Sequence, residues 1–225
     1  MNSNDPTIPF SRLSAFVRQI THDVRNGLNA IDLEAAFVTE LVTDTEARDE
    51  LKKLRDMVSN VAKSMQQLSA SVAEPKLNKA NLGAREFAEA LRDRVAEHLA
   101  EHTDKIAWNL EIGGESLDVD FEQMTSALLE IIRNAFQFRG DDVPVELRVF
   151  IKENTLVFEQ REQKTSLPSD PGSWGVNPLL STRRGGYGLG LFRARRIIEA
   201  HDGAVETCHD GTLLTTRVAL PLAKS

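Results

Sequence analysis

The chain has 225 residues, 41% of them hydrophobic and 27% charged, with a formal net charge of -7. This suits one large or two modest globular domains rather than a disordered chain, and the acidic balance argues against nucleic acid or an anionic membrane as the main partner. A single cysteine, Cys208, excludes an internal disulfide, no run approaches the roughly 18 apolar residues that span a bilayer, and "MNSNDPTIPF" lacks the pattern of a signal peptide, so a cytoplasmic protein without a membrane segment is expected.

From Phe10 the apolar residues recur at Leu13, Val17, Ile20, Val24, Leu28, Ile31, Ala35, Val38 and Val42, alternately three and four apart. This is a heptad seam on one long helix. "TDTEARDE" interrupts it with capping residues and early acids, and a second seam follows at Leu51, Leu54, Val58, Val61, Met65, Leu68 and Val72. The pattern predicts a helical hairpin over residues 1–74. Each stripe needs neighbours on more than one side, so pairing with a second copy into a four-helix bundle is expected, through residues 8–73. The alternative is that the hairpin packs on its own C-terminal half.

Pro75 opens a linker over 75–82. Beyond it, in 83–225, the periods are mixed. An amphipathic helix is predicted over about 84–101, then alternation in "KIAWNLEI", a helix in "FEQMTSALLEIIRNAFQF" and two strands, "VELRVFI" and "TLVFEQ". A loop rich in Pro and Gly leads to the helix of "GLGLFRARRIIEAH", and "AVETC" and "LLTTRVAL" are joined through Asp210-Gly211, a favoured hairpin turn. The class is α+β, with the second half an α/β sandwich of one sheet and helices on one face.

His22 lies about 200° around the first helix from both Ile20 and Val24, so it points away from the seam into solvent. Asn26 shares its face and Asp23 adjoins it. An exposed imidazole beside a carboxylate suits nucleophilic chemistry, since the acid fixes the tautomer or takes the ring proton while the other nitrogen attacks. A solvated surface histidine is the plain alternative.

"THDVRNGLNAI" resembles the phosphoacceptor box of two-component sensor histidine kinases, on the first helix of a dimeric bundle, with Gly27 where that family usually has proline. The second half is similar to the family's catalytic ATP-binding domain, the GHKL-type fold shared with gyrase and heat-shock chaperone ATPases. "LLEIIRNAFQF" resembles its asparagine box, which makes Asn134 the implied magnesium holder. Glu130, one turn earlier, is either a magnesium-shell residue or an ordinary helix acid. "PLLSTRRGGYGLGLFRARRIIEAHDGAV" resembles the lid end and second glycine box, with Gly186, Gly188, Leu189, Gly190 and Leu191 at its core and Arg183 as a phosphate contact. Glycines opening a helix let N–H groups approach phosphate. A dinucleotide fingerprint has different glycine spacing and a strand directly before it.

One box departs from the pattern. Laying "LVFEQREQK" on the strand that leads into the first glycine box puts Glu162 at the position of the adenine-reading aspartate, but Lys164 falls where a glycine belongs. A bulky residue there fills the pocket. His98 and His102 have spacing for one helix face but no third ligand, and read as surface residues. Packing or turn roles are the default for Trp174, His201, His209 and Cys208, and Arg193, Arg195 and Arg196 read as a solvated face.

The resemblance implies a stand-alone transmitter module without a sensor domain. His22 would accept a phosphoryl group and pass it to an aspartate of a response-regulator receiver domain, with Asp23 assisting, Asn26 positioning water for the reverse reaction, and ATP and Mg2+ as cofactors. Two alternatives remain. One is a histidine phosphotransferase without ATP, its ATPase-like half a relic and its phosphate supplied by an upstream kinase; the other is a non-catalytic dimeric adaptor.

Overall fold

The computed structural model describes residues 9–137, 143–164, 167, 170–178 and 188–223. Its chain divides after Ala73 into two compact units.

The first unit is a pair of helices, α1 (Phe10–Leu41) and α2 (Thr45–Val72). The Asp44 side chain caps α2 by accepting from the Glu46 N–H at 3.1 Å, and Arg48 Nε donates to the Val42 carbonyl at 2.6 Å, which closes the connection. Ser14 Oγ donates to the Val72 carbonyl at 2.6 Å while Arg55 meets Asp32 at 2.8 Å, so the helices run antiparallel.

The line buried between them differs from the predicted seam. Buried on α1 at heptad spacing are Ser14 and Thr21, each one position from the expected stripe, and Ala35, which belongs to it. Ile20, Val24 and Ile31 of that stripe are exposed, together with Phe16, Met57 and Val61. Small residues let the two backbones approach, and the large ones are left for another neighbour.

The second unit runs β1 (Ala80–Gly83), α3 (Ala84–His98), a 3-10 turn (Ala100–Lys105), β2 (Ile106–Glu111), β3 (Ser116–Val119), α4 (Phe121–Gln137), β4 (Val145–Lys152), β5 (Thr155–Gln163), α5 (Gly190–Ala200), β6 (Ala204–Asp210) and β7 (Leu213–Pro221). Five strands form a sheet in the order β2-β4-β5-β7-β6, with β2 parallel to β4 and the remaining pairs antiparallel. Alternate residues such as Leu147, Val149, Leu156, Phe158, Val218 and Leu220 pack with Phe87, Leu91, Met124, Leu128, Ile132 and Ile198 of the helices in one core.

Three local features differ from the sequence reading. A second, two-stranded sheet pairs β1 with β3, and β1 begins inside the stretch read as a linker; four-residue strands are too short to show alternation. Asp210 pairs with Leu213, so the hairpin loop is Gly211-Thr212, with Gly211 supplying the positive φ of 62°. Helix α3 ends at His98 and His102 sits in the 3-10 turn stacked on Phe136, so the two histidines do not share a helix face.

Two polar arrangements tie the unit together. Asp120 starts α4 by accepting from Gln123 N and Asn78 N, while its own N–H donates to buried His201 Nε2 at 3.0 Å. The ring's Nδ1 then donates to the Ile197 carbonyl at 2.7 Å, which links the start of α4 to the end of α5 and gives His201 a structural part. On the other side of the sheet, buried Glu159 meets Arg217 at 2.6 Å and Arg161 at 2.8 Å.

Candidate functional site

The first candidate site lies on α1. About a quarter-turn around the helix from buried Ser14 and Thr21, His22 has 67% of its side chain exposed. Its Nδ1 lies 3.2 Å from Asp23 Oδ1 and 3.4 Å from Asn26 Nδ2. Gln19, one turn earlier, donates to both Asp23 oxygens at 3.0 and 3.2 Å. The sequence reading omitted Gln19, although its i, i+4 spacing to Asp23 is the signal that finds it.

These contacts order the imidazole. The hydrogen bond with His22, followed by that from Gln19, holds the Asp23 carboxyl below the usual carboxylate range. A neutral ring donates its Nδ1 proton to that carboxylate, and the longer approach of Asn26 is then a neighbour rather than a second bond to the same nitrogen. The lone pair of Nε2 is left directed at solvent. Helix α1 continues through Gly27, where an added Cβ would meet nothing within 4 Å.

The second candidate site is a cleft in the second unit. Along β5 the helix-facing row changes from Leu156 and Phe158 to Gln160 and Glu162, so the apolar core gives way to polar lining. Asn134 comes from α4, Leu191 and Arg195 from α5, Thr207 from β6 and Thr216 from β7, and Trp174 closes the lining. Glu130, one turn before Asn134, presses its carboxylate against Gly190, leaving no room there for a Cβ. Gly190 is the first residue of α5, so a carboxylate lies at that helix's N-terminus, where negative charge is favoured. Gly188 takes φ 64° and Leu189 is buried, while Arg183 and Gly186 of the same sequence motif lie outside the described residues.

The two ends of this cleft differ in what they fit. Asn134 and Glu130, a turn apart on α4, offer the oxygen donors that a magnesium ion takes. At the other end Glu162 is 2.8 Å from Lys164, and both are buried. The cavity beside Glu162, lined also by Gln160, Trp174 and Thr216, is about 20 Å³, enough for one water and far below a nucleotide pocket. As arranged, the residues at that end do not fit a nucleobase.

Arg195 also departs from the solvated face read for it. It is largely covered and donates to the Val205 and Trp174 carbonyls, both at 3.3 Å. Among the described residues no group of three His, Cys, Asp or Glu is placed to hold a metal ion, and no helix is long and apolar enough to cross a membrane.

No family model matches the chain. Its relatives include the sensor protein KdpD of Clostridium acetobutylicum, 24% identical over an alignment of 216 positions that covers 88% of this chain and 23% of KdpD. The signal transduction histidine-protein kinase ArlS of Staphylococcus haemolyticus is 22% identical, with 92% of this chain and 48% of ArlS covered. The chain thus spans from 23% to 48% of these relatives' length. Among solved structures, full-length ShkA in complex with AMPPNP superposes on 94% of this chain and 46% of its own, with a TM-score of 0.69 at 18% identity. The fold is that of a histidine-kinase transmitter, a helical hairpin followed by the kinase-type α/β unit, and the sequence likeness is to sensor histidine kinases.

Proposed function

We propose that this histidine-kinase-like chain is a two-component signalling protein in which Nε2 of His22 takes up a phosphoryl group and passes it to an aspartate of a response-regulator receiver domain. The observation that carries this reading is the ordered imidazole: Nδ1 faces Asp23, Gln19 holds Asp23, and Nε2 is open to solvent. Attack by Nε2 on phosphorus forms the N–P bond as the bond from phosphorus to the donor breaks, with ADP leaving in the kinase form and the upstream protein's side chain leaving in the phosphotransfer form; the positive charge left on the ring is stabilised by the Asp23 carboxylate at Nδ1. When the receiver carboxylate attacks in turn, the N–P bond breaks and the ring returns to its neutral form. Asn26 lies on the same face and would orient water for hydrolysis of the aspartyl phosphate. The exposed apolar residues of both helices suit pairing with a second copy into a four-helix bundle, with residues 1–74 as the dimerisation and phosphoacceptor part, 75–82 as a linker and 83–225 as the kinase-type domain.

In the kinase form of this reading the phosphoryl group comes from ATP and Mg2+ held by the second unit. Asn134 and Glu130 would hold the magnesium, and the Gly188–Gly190 turn into α5 would face the phosphates; the metal would neutralise phosphate charge. The Glu162–Lys164 pair favours a second reading, in which an upstream kinase supplies the phosphate and His22 acts as a phosphotransfer residue.

The test uses a small phosphodonor. Phosphoramidate incubated with the full chain is expected to give an acid-labile, base-stable phosphate that mass spectrometry places on His22, and none in His22→Ala. Label retained in His22→Ala overturns the assignment, whichever source of phosphate operates.

A further inference from the structure

We propose that Lys164 controls nucleotide admission to the second unit: its side chain is a built-in occupant of the base-binding end, and its removal raises the affinity for adenine nucleotide. The inference rests on reading this cleft as a kinase-type nucleotide cleft.

Glu162 is the acid that would accept from the amino group of an adenine. Its Oε2 is already 2.8 Å from Lys164 Nζ, and its Oε1 accepts from Gln160 Nε2 at 3.3 Å, so both oxygens are engaged. The two charges touch without an aligned hydrogen bond, and both side chains are at least 95% buried. An ammonium presents only donors. An adenine amino group at the same place would meet a donor where it needs an acceptor, and would have to displace the lysine from a buried carboxylate.

The lysine is also held where it is. Its backbone N–H donates to the Thr212 carbonyl at 2.7 Å and its carbonyl accepts from His209 Nε2 at 2.9 Å, so the β6–β7 hairpin grips residue 164 on both sides. The ammonium lies 5.8 Å from the centroid of the Trp174 ring, and Arg195 holds the Trp174 carbonyl. Next to it Gly175, at φ 68°, sits against the backbone of α5, where a Cβ would come within 2.6 Å of the Leu191 carbonyl. The segment carrying Trp174 is therefore seated on the helix that follows the glycine turn. Only about 20 Å³ remains beneath it. A glycine at 164 removes the ammonium and its four-carbon stem, frees Glu162 Oε2, and opens space where a base needs it.

The test is calorimetric titration of AMPPNP with magnesium into the full chain, comparing the natural protein with Lys164→Gly and Lys164→Ala. The expected result is an affinity at least tenfold higher in Lys164→Gly, a smaller gain in Lys164→Ala, and loss of the gain when Asn134→Ala is added. Equal affinity in the natural protein and the variants would show that Lys164 excludes nothing, and would overturn the proposal while leaving the cleft a nucleotide site. Absence of binding in all of them, with far-UV circular dichroism unchanged, would overturn both the proposal and the kinase reading of the cleft. If Lys164→Gly does not fold, Lys164→Ala carries the comparison, and micromolar binding by the natural protein alone refutes the inference. Labelling of His22 by phosphoramidate is expected to be the same throughout.

Discussion

Acidification from pH 7.5 to 5.5 is expected to weaken the second unit through His201. Burial pushes this imidazole's pKa below the ordinary histidine value; the bond to Ile197 opposes the shift, Lys79 adds to it, and Asp120 and Asp202 oppose it. Because the folded pKa is depressed, the unfolded chain binds the proton first as pH falls. The stabilisation is therefore complete above about pH 6.5 and is lost as pH drops below it toward the folded value. Protonation at Nε2 turns the acceptor of the Asp120 N–H into a second donor, at a present separation of 3.0 Å. Leaving a buried N–H without its partner costs about 1–3 kcal/mol. The Asp120 carboxyl does not confuse this window: burial raises its pKa, but donors from Asn78 and Gln123 outweigh that and hold it below the usual carboxylate value.

The assay is urea unfolding followed by tryptophan fluorescence at pH 7.5, 6.5 and 5.5. Both tryptophans, Trp108 and Trp174, belong to the second unit, so the signal reports that unit. The His201→Gln variant keeps an oxygen that can accept from Asp120 but does not titrate. It is expected to be less stable at pH 7.5, having lost the bond to Ile197, yet to lose less stability on acidification. Equal pH slopes in the two proteins would refute the argument, since every other titrating group is shared.

Further outcomes follow from single residues. Gly27→Ala is expected to raise the stability of the hairpin by about 0.5–1 kcal/mol in thermal unfolding, because the site is mid-helix with open space around an added methyl. Ile31→Glu places a charge on the exposed apolar face of α1; if the chain pairs as proposed, light scattering is expected to give a dimer mass for the natural protein and half of it for the variant, and a dimer mass for both would place the second copy elsewhere. Gly203→Ala would put a methyl 2.7 Å from the Ala219 carbonyl and 2.9 Å from Ile198, at a cost of about 1–3 kcal/mol by urea denaturation. Glu159→Ala removes the carboxylate shared by Arg217 and Arg161 and is expected to cost about 2 kcal/mol in the same assay.

Much of the architecture was legible from periodicity. Heptad spacing identified both long helices and alternation in "KIAWNLEI" identified the edge strand β2, because burying one face forces a period of 3.6 or 2 on the residues themselves, whereas "TLVFEQ" read as strand-like without alternation and lies in β5, which is buried on both faces. His22, Asp23 and Asn26 were legible for the same reason: a helix places i and i+4 on one face, and no distant part of the chain is needed to bring them together. Strands β1 and β3 were not, since four residues carry too few alternations and the pairing joins segments more than thirty positions apart.

Lys164 marks the boundary between the two kinds of knowledge. By itself the sequence determined that a lysine stands two residues after Glu162, that an exposed histidine is flanked by an acid, and that two helices carry more apolar surface than they can bury between themselves. Which way that lysine turns was decided by tertiary structure alone. The grip of Thr212 and His209 on its backbone, and Trp174 and Arg195 closing the cleft, come from residues ten to forty-eight positions away, brought together by strand pairing and helix packing. The same holds for His201 and Asp120, 81 positions apart, whose hydrogen bond exists only once α4 and α5 lie on one sheet. Local periodicity is written residue by residue, whereas the partners of a buried polar group are set by whichever distant segments the core brings alongside it.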